Sequence, residues 1–179
     1  MNLQLEAMAL AMPDVAGHPN RLPFRGVLTL VGVASQRSPH GARGHRVMLT
    51  RGAAEAALPS LLGMALDYAP ALTSHDVRRK IGIITEVDIK PLHAGSNDRT
   101  GQIAVSGHLF AHDFPDVVAE MRSHQGATLG MSYEIANVTV PNQEALIWTA
   151  TSFTFTGAAM LKRDKAAYPQ TWIKLATNN

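Results

Sequence analysis

Between Thr128 and Val140 the chain alternates apolar and polar positions. Leu129, Met131, Tyr133 and Ile135 share one parity, and Gly130, Ser132 and Glu134 share the other. Successive side chains on a strand point to opposite faces, so the first set can pack into a core while Ser132 and Glu134 stand together on the other face. Comparable runs predict strands at Phe24–Ser35, Val47–Thr50, Ile81–Pro91, Gln102–Phe110 and Ala145–Phe155. Gly26 and Gly32 mark bends or bulges in the first of these. Ile81, Ile83, Thr85, Val87 and Ile89 fall on one face of their run. The turn-rich HAGSNDRTG that follows pairs this run with the next as an antiparallel hairpin.

Helical spacing appears in two places. In Arg51–Leu62, Ala53, Ala54, Ala57, Leu58, Leu61 and Leu62 lie on one face, with Pro59 bending or ending the helix and Gly63 terminating it. In Asp113–Ser123, Asp113 can cap, Pro115 sits in the first turn, and Phe114, Val117, Val118 and Met121 form the apolar stripe. The segment GAAMLKRDKAAY from Gly157 predicts a short helix. Ala65–Gly82 reads as irregular chain leading into a strand. Residues 1–23 form an arm broken by Asp14, Gly17, Pro19, Asn20 and Pro23. Residues 24–176 form the domain, and 177–179 fray. Six or seven strands with two or three helices, not in regular alternation, predict an α+β domain around a mainly antiparallel sheet or barrel.

Composition narrows the chemistry. At 179 residues one domain with a sizeable core is expected, and a formal net charge of +2 makes no nucleic-acid footprint. The absence of cysteine excludes disulfides, thiolate nucleophiles and cysteine–zinc sites. The N-terminal MNLQLEAMALAM lacks a basic region, carries Glu6 and is too short to span a bilayer. The polar, basic loop Gln36–Arg46 reads as solvated.

A serine hydroxyl needs a base within hydrogen-bond reach and a third group to orient that base. His75, where irregular chain enters a strand, is the candidate base for Ser132. His108 and His112 have a spacing that binds metal on a helix, but here they straddle a strand end and a helix start, so no metal or cofactor is expected.

PALTSHDVRRKIGIITEV, GQIAVSGHLFAHDFPDVVAEM and LGMSYEI, followed by TGAAMLKRDKAAY, together resemble the phage prohead maturation protease family, which shares its fold with the herpesvirus assemblins. The resemblance covers Phe24 to Tyr168. It implies a small β-barrel with packed helices, Ser132 as nucleophile and His75 as general base. It also implies scaffolding protein and major capsid protein as substrates, with self-cleavage, inside the procapsid in the host cytoplasm. A homodimer is one assembly it allows. It implies neither membrane nor specific nucleic acid.

The third member of the triad departs from the family pattern. The family's WEVS-like run reads WTATS here, Trp148–Ser152, so Thr149 stands where a glutamate is expected, and the second histidine of the assemblins is absent. Glu134, about 7 Å from Ser132 along the same face, is the preferred substitute, with Thr149 and Thr151 as alternatives. Asp76 points away from its neighbour His75 in extended chain. Oxyanion donors are a backbone N–H near Gly130 or Ser132, or a water held by Arg163. The missing acid at Thr149 also allows a second reading, a catalytically impaired pseudo-protease or structural component of the procapsid. A serine esterase of another fold lacks its G-x-S-x-G elbow.

Overall fold

The computed structural model describes residues 8–13, 15–95, 98–124 and 128–176. In chain order its elements are β1 (Met8–Ala9), β2 (Leu22–Val31), β3 (Arg46–Leu49), α1 (Arg51–Ala57), β4 (Ala65–Tyr68), β5 (Lys80–Lys90), β6 (Gly101–Leu109), α2 (Pro115–Ser123), β7 (Leu129–Thr139), β8 (Ile147–Ala150), β9 (Ser152–Lys162) and β10 (Trp172–Leu175). Two 3-10 turns, Leu58–Leu61 and Arg163–Lys165, complete them. The main sheet runs β10-β2-β6-β5-β4-β9-β7, with β1 pairing β5, and β3 and β8 form a separate two-stranded ribbon. The class is mixed α+β, and the main sheet is antiparallel except for the parallel pair β4/β9. Among the described residues no helix is long and apolar enough to cross a membrane. Residues 1–7 and Asp14 of the expected arm, and the tail 177–179, lie outside the described residues; Met8 and Ala9 pair with Val87 and Glu86.

The sheet curls because its end strands are drawn together. The Met131 N–H donates to Thr171 Oγ1 at 3.1 Å, so edge strand β7 meets the segment leading into β10. A Cβ at Gly26 would lie 2.5 Å from the Trp172 carbonyl oxygen and 2.6 Å from Met131 Sδ, so only glycine admits this approach. The concave side holds one apolar core that includes Leu28, Leu66, Ile81, Ile84, Met131, Phe155, Ala158 and Met160. Burial of these side chains is the main stabilising term.

Several predicted elements need correction. The GAAMLKRDKAAY segment is not a helix from Gly157: residues up to Lys162 continue β9, which is buried on both faces from Gly157 to Leu161. Apolar residues without alternation suit a central strand as well as a helix, and here ladders to β4 and β7 decide for the strand. The run Ala145–Phe155 is two strands, with Thr151 between β8 and β9. Part of Ala65–Gly82 is not irregular but forms β4, and β10 was not foreseen. A register shift between Ile84 and Glu86 makes Thr85 an extra residue, so Ile84, rather than Ile83, is fully buried.

Helix α1 stops at Ala57 and tightens into a 3-10 turn at Leu58, just before Pro59. It is capped by Thr50, whose Oγ1 accepts the Ala53 N–H at 3.3 Å. The α2 stripe holds, with Val117, Val118 and Met121 buried, but Asp113 does not cap it. Its carboxylate instead accepts from Asn20 Nδ2 at 2.8 Å, which ties the start of β2 to the start of the helix.

Candidate active site

The chemistry gathers on the convex face of the sheet, where β4, β9 and β7 lie side by side. Asp67 on β4 pairs with Ala159 on β9, and Ala159 pairs with Ser132 on β7. Side chains in one register row share a face, so Asp67, Ala159 and Ser132 form a row across three strands spaced about 4.8 Å apart. One row further along, Glu134 pairs with Gly157. The parity predicted for β7 holds as far as Glu134: Met131 and Tyr133 pack against the concave core, while Ser132 and Glu134 share the other face; a register shift between Glu134 and Ile135 ends the pattern, and Ile135 lines the cleft.

The segment between β4 and β5 roofs this face and carries His75. The Leu72 carbonyl accepts the Lys162 N–H at 2.8 Å, and the Arg79 carbonyl accepts the Tyr68 N–H at 3.2 Å. The Arg79 guanidinium lies over the rings of Tyr68 and Phe114 and pairs with Asp116. Both ends of the segment are therefore pinned, and His75 comes down onto the strand face between them.

His75 Nδ1 lies 3.0 Å from Glu134 Oε1. A carboxylate accepts only, so the ring proton sits on Nδ1 and Nε2 is left as the acceptor. Among the described residues Nε2 has no hydrogen-bond partner, and neither has Ser132 Oγ. Both residues line one cleft of about 830 Å³. Pro39–Arg43 of the basic loop, Ile135, Val138 and Trp148 are among the other residues that line it. The basic loop is thus anchored rather than free at its base: the Val47 N–H donates to Ser35 Oγ at 2.9 Å, and the His45 ring stacks on Trp148 at 4.5 Å.

Of the three predicted residues, the structure puts His75 and Glu134 in contact, and Ser132 lines the same cleft without a hydrogen bond to His75. Thr149 and Thr151 do not reach His75: Thr149 pairs with Met48 in the ribbon, and Thr151 Oγ1 donates to the Thr139 carbonyl at 3.4 Å. Asp76 turns from His75 as expected, its carboxylate accepting the Arg78 N–H at 3.1 Å. Arg163 lies close to the site, its Cα 3.0 Å from where a Cβ on Gly130 would stand, and its buried Nε has no partner among the described residues.

Sequence reasoning missed Asp67. It is fully buried beneath the roof, with Oδ1 accepting the Asp76 N–H at 3.2 Å. Oδ2 lies 3.8 Å from His75 Nδ1 and 3.6 Å from Lys80 Nζ. Burial, reinforced by the neighbouring Glu134 carboxylate and opposed by His75, raises the Asp67 carboxyl from 3.8 to about 6. The one available signal was the alternation of Ala65 and Asp67 with Leu66 and Tyr68, a strand pattern cut short by Pro70. Among the described residues, Asp67, His75 and Glu134 are also the three whose donor atoms could surround a cation, lying within 4.8 Å of one another. The Lys80 ammonium already stands against Asp67 Oδ2. His108 and His112 do not join any such group.

No family model, curated protein or solved structure matches the chain.

Proposed function

We propose that this protein is a serine endopeptidase, acting on scaffold and capsid precursors during phage head maturation and on its own chain. The observation that carries the catalytic part is the 3.0 Å contact of His75 Nδ1 with Glu134, in a cleft onto which Ser132 also opens. A carboxylate on Nδ1 fixes the imidazole tautomer and leaves Nε2 to serve a hydroxyl. The substrate assignment rests on the resemblance of the GMSYE, SHDVRRKIG and SGHLFAHDFP segments to prohead proteases. The curled antiparallel sheet is compatible with the assemblin-like barrel that this resemblance implies.

In this reading Ser132 Oγ attacks the peptide carbonyl carbon as His75 Nε2 takes its proton. The C–N bond breaks, the proton passes to the leaving amine, and an acyl-enzyme ester remains. Water, deprotonated by the same nitrogen, hydrolyses the ester and restores Ser132. Glu134 holds the ring and stabilises the imidazolium. In this reading a donor for the charge on the carbonyl oxygen comes from outside the β7/β9 ladder, because the Met131 N–H is taken by Thr171 Oγ1; Arg163, whose Nε has no partner among the described residues, is the candidate.

A second reading is a structural procapsid component that has lost the chemistry. The unpaired Ser132 hydroxyl favours it, although such contacts often tighten only with substrate. Co-expression with the neighbouring scaffold and capsid proteins separates the two. Discrete products present with wild type and lost with Ser132→Ala establish the protease. Identical uncleaved proteins from assembled particles in both establish the structural role.

A further inference from the structure

The triad leaves one group unused. Asp67 is the fully buried carboxylate beside His75, and its Oδ2 has no hydrogen-bond partner among the described residues. A carboxylate in that condition costs stability, so its presence calls for a role. Glu134 reaches the same place in an unusual way. Its carboxylate lies across β9, where a Cβ on Gly157 would stand 2.4 Å from Oε2. With any other residue at 157, that path is closed.

We propose that Asp67 and Glu134 act as one carboxylate pair, seated over the notch at Gly157, that positions His75 for the reaction at Ser132. This rests on the catalytic reading above and goes beyond it. Glu134 accepts the Nδ1–H hydrogen bond. Asp67 stands behind it and fixes the backbone of the His75 segment through the Asp76 N–H. The charged and titratable groups facing Asp67 are His75 and Asp76 from the roof, Lys80 from β5 and Glu134 from β7; Gly157 and Ala159 of β9 bring none. Lys80 balances the charge of Asp67, which leaves that of Glu134 for the imidazolium. Asp67 and Gly157 are positioning residues, since neither need touch substrate.

The test uses the full chain with Asp67→Asn and Gly157→Ala, and Glu134→Gln as reference. One readout is the rate at which a fluorophosphonate labels Ser132, followed from pH 5 to 9. The other is the proton NMR signal of the His75 Nδ1–H, assigned by its loss in His75→Gln, which needs no catalysis. Gly157→Ala is expected to lose the Nδ1–H signal and to slow labelling at least 10-fold while keeping the wild-type circular dichroism spectrum and Tm. The only atom in severe conflict there is the end of a flexible side chain. Asp67→Asn is expected to shift the signal, slow labelling 10- to 100-fold and remove an ionisation near pH 6 from the profile. Wild-type signals in both folded variants would overturn the proposal. If wild type itself is not labelled, the catalytic reading fails, and the NMR signals alone still decide whether the pair holds His75.

Discussion

Two histidine–glutamate pairs occur in this protein at nearly the same distance. His75 Nδ1 lies 3.0 Å from Glu134, and His124 Nε2 lies 2.9 Å from Glu120. His124 even has a hydroxyl on its other nitrogen, Thr128 Oγ1 at 2.9 Å, so its local geometry looks more like a hydroxyl–imidazole–carboxylate relay than that of His75. The difference lies in surroundings. Glu120, His124 and Thr128 follow one another at four-residue spacing around the end of α2, on the surface and outside the large cleft. Such local pairs are worth a few tenths of a kcal/mol in water. His75 and Glu134 are 59 residues apart in the chain and meet above a buried carboxylate, beside a cleft of about 830 Å³. Distance alone therefore does not define a relay; desolvation, a group that holds the carboxylate in place and access for substrate do.

The largest effect that would sharpen this contrast is at the proposed nucleophile. Ser132→Ala should cut peptide cleavage by about 10³-fold or more, read from product masses, whereas Thr128→Ala should leave it unchanged. Next comes the proposed acid. Glu134→Gln should lower kcat/KM by about 10²- to 10⁴-fold with little change in KM, because it removes support for a charge present only in the transition state. The matching Glu120→Gln should leave both constants as they are; an equal loss from both variants would break the comparison.

A third, smaller effect concerns stability. Asp67 holds its proton more tightly in the folded chain, at about 6, than at its ordinary 3.8. Stability is therefore lost as pH rises from about 4 through about 6, and the loss is complete above that. Asp67→Asn removes this loss, so it should raise stability above pH 7 by on the order of 2–3 kcal/mol and change it little below pH 4. Tm measured at pH 4 and pH 8 checks the sign. A variant destabilised equally at both values would make Asp67 an ordinary structural residue. The smallest effect is His124→Gln, expected to shift stability by about 0.5 kcal/mol or less.

The parts of the fold that were legible in the sequence are those where one strong local pattern decides. The β6 alternation from Ile103 to Leu109, the α2 stripe and the two faces of β7 all follow from periodicity against a single core. Legibility failed where neighbours override the pattern. The stretch Gly157–Leu161 is rich in helix formers, yet it lies between two strands and is buried on both faces. Thr85 was misplaced by a bulge that periodicity does not register. Thr149 stayed open as a third triad member only because no distance was at hand to exclude it.

By itself the sequence determined the alternation that places Ser132 beside Glu134, the absence of thiol chemistry and the position of His75 at a strand entrance. These depend on residue type and on backbone geometry within a few neighbours. Only the tertiary structure decided that the carboxylate against His75 is that of Glu134, that Asp67 stands behind it and that Gly157 gives the carboxylate its path. Each of these depends on register between strands distant in the chain, β4 on β9 and β9 on β7. Such register is set by the packing of both sheet faces together, which no local pattern encodes.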